Sequence, residues 1–299
     1  MLAQNCDANG ALLSLDAHPL LREYFAKRLS EQQPEAFRTA HQRLYQHLCE
    51  TTQEGEQPTL AELQPLYQAV VHGCLAGMEQ VACVKVYHDR ISRGKEAYVV
   101  NKLGALGSDL GAVACFFAQP WSRVSPTLTP ADQAWLLNEA AFRLRALGRL
   151  GEAVEPMRTG LEMRVKQEVW ISAAIIASNL SELELTLGDV AGAVKTGAQS
   201  VSYADQSGDA DMRMIMRTTH ADALHLHGQR SEAEALFKQA EQMQTESQPD
   251  YPLLYSVQRF RYCELLFATA ECAAWRAFPP PPQAGEGVRV YATKQTTMN

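Results

Sequence analysis

The sequence predicts an all-α solenoid of antiparallel helix pairs, and three observations predict it. Gly148, Gly188 and Gly228 recur 40 residues apart. Ala153, Ala193 and Ala233 each follow five residues after one of those glycines. Apolar residues fill the intervals at three/four spacing, as in Leu136, Ala140, Leu144 and Leu147 or Ile176, Leu180, Leu183 and Leu187. A fixed period of roughly 20–50 residues marks a solenoid, because one helix pair cannot bury its apolar face alone and stacked neighbours can. Each glycine is expected to end a helix in a left-handed cap, where a Cβ would be unfavourable. Each alanine is expected early in the next helix, where a small side chain lets two antiparallel helices approach.

The elements follow in order. Asn9-Gly10 is a turn signal, Leu12 to Leu15 a short extended run, and Asp16-Ala17-His18-Pro19 opens a helix that carries "HPLLREYF". Phe37, His41, Leu44, Tyr45 and Leu48 share the next helical stripe, so His41 is expected packed or half-buried. Thr59-Leu60-Ala61-Glu62 is a capping box ahead of a weaker unit, in which Gly77 and Ala82 keep the five-residue offset. Thr129-Pro130-Ala131-Asp132 supplies a cap, a first-position proline and an early acid for the first clear unit. A second weaker unit, the fourth in this run, begins at Tyr251 and places Ala273 one period after Ala233, with alanine at 268 where a glycine is due. The pattern then collapses into "FPPPPQAGEGVRVYATKQTTMN", read as a disordered tail that replaced the natural C-terminal units. Strand signals are nearly absent after residue 16. The expected divisions are 1–52 (N-terminal remnant and linking helices), 53–128 (divergent helical repeats), 129–277 (the clear repeats) and 278–299 (tail).

Composition narrows the function classes. The chain has 299 residues, 46% of them hydrophobic, and a net charge of −7 spread over both signs. No Lys/Arg run marks a nucleic-acid surface. No apolar stretch approaches the about 20 residues of a membrane span, and the N-terminus lacks a basic-then-apolar leader. Seven cysteines without a CxxC pair fit reduced, buried thiols of a cytoplasmic protein rather than a disulfide framework or zinc site.

Candidate chemistry is sparse. No stretch fits GxxxxGK[ST]. "SRGKEAY" has a Gly-Lys pair followed by glutamate, where a hydroxyl must bind magnesium. G-x-S-x-G is absent, and Glu182 and Glu184 diverge around a helix. His220, Asp222, His225 and His227 fall on different faces, so polar helix contacts are expected there rather than a metal. His220 occupies the register of Leu180 and Ala140 and reads as a buried neutral histidine with one partner. Glu184 occupies the register of Leu144 and Leu224; it reaches solvent, pairs with a cation or marks a weakened interface. Trp121, Trp135, Trp170 and Trp275 read as core and junction fillers. No catalytic residue, cofactor or metal is expected.

Ala141, Gly148, Ala153 and Gly160, then Ser181, Gly188, Ala193 and Ser200, then Ala221, Gly228, Ala233 and Ala240, resemble the tetratricopeptide (TPR) signature over about residues 131–247. The period exceeds the standard of about 34 residues, which implies extended helices or connections. Together with "HPLLREYF", the stretches "LGALGSDLGAVACFF" and "RTTHADALH" and the order of segments, the chain resembles the C-terminal half of bacterial signal-transduction ATPases (the STAND class, with NACHT or NB-ARC-like switches). There a winged-helix segment leads into TPR-like sensor repeats. The resemblance implies a right-handed superhelix, a winged-helix-like remnant at the N-terminus and a chain that lacks the ATPase module. It implies a non-catalytic interaction or sensor region that binds a protein or peptide, not nucleic acid or membrane. A free-standing TPR adaptor is the alternative, and a transcription-regulator fragment a more distant one. In such an array the first helices of successive units line the concave face. By register, that face should include Trp135, Asn138, Phe142 and Arg145, then Ile175, Ser178, Glu182 and Leu185, then Ile215, Thr218, Asp222 and His225.

Overall fold

The computed structural model describes residues 2–6 and 12–277. Strand β1 (Leu2–Cys6) pairs antiparallel with β2 (Leu12–Ala17). The Asn9-Gly10 turn and the expected tail at 278–299 lie outside the described residues. The His18 ring accepts the Leu20 amide, and Pro19 starts helix α1 (Pro19–Gln32) as the sequence motif predicts. Helix α2 (Pro34–Thr51) packs against α3 (Leu60–Leu75). The capping box forms at the start of α3: Thr59 Oγ1 accepts the Glu62 amide at 3.3 Å, and the Glu62 carboxylate accepts the Thr59 amide at 2.7 Å.

Gly77 has φ +77° and turns the chain out of α3. A single turn, α4 (Glu79–Val81), then runs directly into a π-helix (Ala82–Ser92) that returns along α3. Ala82 is fully buried there, as its offset from Gly77 predicts. Two short helices, α5 (Tyr98–Asn101) and α6 (Leu106–Ala114), follow. A small hairpin of β3 (Phe117–Gln119) and β4 (Arg123–Val124) comes next, which corrects the expectation of almost no strand in this part of the chain. Its tip holds Trp121 at φ +63°. The indole packs edge-on against Phe117 at 5.5 Å, and the Arg149 guanidinium lies 5.9 Å from its centroid. Trp121 thus contacts both the core before residue 130 and the core after it, the junction-filling role its sequence context suggested.

From Thr129 on, the period holds. Helices α7 (Pro130–Ala146) and α8 (Leu150–Lys166), α9 (Trp170–Thr186) and α10 (Val190–Ser207), and α11 (Ala210–Leu226) and α12 (Arg230–Ser247) form three successive antiparallel hairpins. Gly148, Gly188 and Gly228 occupy the three tips at φ +74°, +86° and +89°. This left-handed conformation is disfavoured for residues with a Cβ, so the 40-residue glycine spacing is a spacing of turns. Ala153, Ala193 and Ala233 are all fully buried. In the second hairpin the close crossing is direct: Ser181 Oγ donates to the Ala193 carbonyl at 2.8 Å. The result is an all-α, TPR-like solenoid.

The pattern changes after α12. A strict period would start the next helix at residue 250, but α13 (Ser256–Ala277) starts six residues later, after a loop in which Leu254 is buried. Helix α13 packs on α11 and α12 through Tyr262 and Leu265. Phe237 and Tyr262 stack at 4.9 Å. Between hairpins two and three, the residue in the register of Phe237 is Gly197. A Cβ on Gly197 would meet the His220 Cα at 3.2 Å and the ring at 3.2 Å. The half-buried His220 therefore fits its leucine register because the opposing side chain has been deleted. Burial lowers its pKa, and among the described residues no hydrogen-bond partner takes the place of the one expected.

Candidate concave interaction face

The predicted face begins on α7. Trp135 is half-buried, with its ring 5.6 Å from Tyr87 and 5.4 Å from His88 of the π-helix. Asn138 is exposed, and Phe142 is 50% exposed, a large apolar group without cover. Between α7 and α9 a cleft of ≈ 190 Å³ opens, lined by Trp135, Asn138, Ser172 and Ile175 together with Arg164 from α8. Three of the sequence-predicted positions therefore meet in one depression.

Helices α9 and α11 close upon each other instead. Ser178 is buried and donates to Thr219 Oγ1 at 3.1 Å. Thr218 is fully buried and donates back to the Ile215 carbonyl of its own helix at 2.7 Å. These two predicted face residues are thus spent on helix packing, whereas Leu185, Ile215 and His225 remain half-buried at the surface.

The charged members form a ladder. Arg145 of α7 lies 3.6 Å from Glu182 of α9. Glu182 accepts a 2.6 Å hydrogen bond from Arg261 of α13. Arg261 also approaches Asp222 of α11 at 3.4 Å and donates to Thr219 Oγ1 at 3.1 Å. Burial raises the Asp222 pKa, and the Arg261 charge opposes that shift. A single guanidinium thereby joins three successive first helices. Sequence reasoning missed Arg261, since a strict 40-residue register aligns it with Ala221, away from the face. The six-residue extension before α13 moves it into place.

A second missed feature anchors the face. Arg143 is 1% exposed and stands where the later hairpins have Leu183 and Ala223. Its Nε donates to Asp109 of α6, and one terminal nitrogen donates to Glu139 at 2.7 Å. Tyr87 Oη donates to the same Asp109 oxygen at 3.1 Å. Burial alone would lower the Arg143 pKa, but Tyr87, Asp109 and Glu139 hold it above the ordinary value. Asp109 lies within "LGALGSDLGAVACFF", a stretch to which the sequence attaches no chemistry. Its signal was a lone acid among apolar residues. Among the described residues, no group of three or more His, Cys, Asp or Glu side chains could hold a metal ion. His227 is exposed at the α11 terminus while His220 faces Gly197, so the histidine run does not converge.

Stacked helix hairpins with a small-residue crossing in each define the class, a TPR-like helical-repeat protein. No protein-family profile matches the chain, and no curated protein matches it. Among solved structures it is similar to a putative kinesin light chain from Podosopora anserina with nearly identical TPR-like repeats. The identity is 20% and the TM-score 0.39, covering 78% of this chain and 99% of that one. A second crystal structure of that protein, carrying a point substitution, gives 20% identity and a TM-score of 0.41 over the same shares. The fold assignment rests on the hairpin geometry, not on these distant likenesses. No described helix is long and apolar enough to cross a membrane.

Proposed function

We propose that the chain is a non-catalytic interaction scaffold that binds a protein or peptide segment along the α7–α9–α11 face. The observation that carries this reading is the pairing of an open cleft of mixed polar and apolar lining with a charged ladder. Trp135, Ile175 and the exposed Phe142 offer sites for apolar side chains. Arg145, Glu182 and Asp222 offer charges a few residues further along the same helices. Apolar anchors beside rim charges suit an extended or helical segment, with affinity from the former and orientation from the latter. The finer reading is that of a sensor region belonging to a STAND-type switch ATPase in the cytoplasm, with 1–52 as a winged-helix-like remnant and linking helices. The α1 helix supports it: Leu20, Tyr24 and Phe25 are exposed and no α1 residue is buried, as suits an element made to lie on further protein.

A displayed peptide library screened against the purified chain tests the scaffold reading. Binders should lose at least about tenfold in affinity with Phe142→Asp or Arg145→Glu. Binders indifferent to both substitutions would place recognition elsewhere. The coding sequence directly upstream of Met1 tests the switch reading: a P-loop there, in frame or shifted, supports it, and an unrelated gene favours a free-standing adaptor.

A further inference from the structure

The second hairpin departs from its neighbours at one place. Where hairpins one and three carry Leu144 and Leu224, it carries Glu184. Where they carry Glu152 and Glu232, it has Gly192, and Thr196 replaces Pro156 and Leu236. All three substitutions line a single cleft of ≈ 450 Å³ between α8 and α10, floored by Leu180 of α9. Pockets for small ligands and side chains commonly begin at about 300 Å³. On α9, Leu180 and Glu184 are two residues from Ser178 and Glu182, so at about 100° per residue the cleft lies across the helix from the concave face.

Glu184 is 3% exposed. One carboxylate oxygen accepts from Arg158 at 2.9 Å. The other is buried and has no hydrogen-bond partner among the described residues. A packed leucine would have avoided the cost of desolvating that oxygen, as it does in both neighbouring hairpins. We propose that this cleft is a binding site for an ammonium or guanidinium group carried on a short apolar stem. The head completes the second oxygen of Glu184 with a charge-assisted hydrogen bond, the strongest kind a carboxylate can accept. The stem lies on Leu161, Val165 and Leu180. An anionic head is repelled by the acceptor-only carboxylate at the floor. Arg158 does not block a cation, because it is 51% exposed and already paired. The lining charges, Arg158 and Lys195 against Glu162 and Glu184, cancel before the ligand enters. The head can come from a lysine or arginine side chain of a partner or from a free amine, and the two sources share this chemistry.

Calorimetric titration of the full chain with n-butylguanidine, and separately with a capped pentapeptide bearing one central arginine, tests the site. At least one should bind saturably, and the affinity should fall at least about tenfold in Glu184→Gln. Glu184→Leu, which restores the register residue, should abolish binding and leave the melting temperature equal or higher. Binding of the free guanidine identifies a small-amine site, and binding of the peptide alone identifies a partner's side chain. Absence of saturable binding to the unmodified protein, equal affinity in Glu184→Gln, or equal affinity for a norleucine version of the peptide would overturn the assignment. None of these results bears on the concave-face substitutions.

Discussion

At the scale of single residues, buried polar groups decide most. Arg143 and Asp109 tie the first clear hairpin to the region before it, with both side chains almost wholly enclosed. Removing one partner strands the other charge. Arg143→Ala should cost about 3–5 kcal/mol in urea unfolding, whereas the double change Asp109→Leu with Arg143→Leu should recover most of that loss. His41 and His72 meet across α2 and α3 with their Nδ1 atoms 2.9 Å apart, so one ring must donate and the other accept. Burial lowers both pKa values, and at His72 the neighbouring His41 adds to it. A histidine depressed in the folded state binds fewer protons there than when unfolded. The stability it supports is complete above the unfolded value of 6.5 and is lost as pH falls from there toward the lowered folded values. His220 shifts in the same direction. The urea midpoint should therefore drop between about pH 7.5 and about pH 5.5, and drop less in His72→Gln.

At the scale of elements, each hairpin is set by its tip and its crossing. The glycine at the tip supplies a positive φ, and the alanine five residues on supplies the room for the crossing. Ala193→Phe should force α9 and α10 apart where Ser181 bonds the Ala193 carbonyl. Overpacking of this kind costs ~1–3 kcal/mol, to be measured by thermal or urea unfolding. A stability equal to that of the unmodified chain would refute the assigned register. Elements before residue 129 obey the same logic less strictly. The turn at Gly77 and the burial of Ala82 follow the pattern, but the return helix is a π-helix, and the β3–β4 hairpin stands between α6 and the first clear helix hairpin.

At the scale of the molecule, a solenoid's stability is close to a sum over units and their nearest neighbours. Phe237 is fully buried in the third hairpin and stacks on Tyr262 of α13. Phe237→Ala should remove about 3–5 kcal/mol locally. Hydrogen exchange should then quicken in α11 to α13 while α7 and α8 keep their protection. Uniform loss across the chain would indicate a single cooperative unit. The Arg261 ladder works against complete independence, because α13 reaches back through Glu182 to the second hairpin.

The all-α class, the hairpin tips, the crossings and the three cap motifs were legible because each depends on a local rule: backbone conformation at glycine, space at alanine, amide satisfaction at a cap. A constant period also carries a register from one unit to the next, which is how the first-helix positions were aligned across the three hairpins. Arg261, the Asp109–Arg143 pair, the fit of His220 against Gly197 and the packing of Ser178 and Thr218 were decided only in three dimensions. Each depends on which residue stands opposite across helices 20 or more positions apart, and a loop six residues longer is enough to change that partner. Sequence by itself determined the repeating unit; the tertiary structure decided which polar groups that unit buries, because burial and pairing are properties of the contact and not of either residue alone.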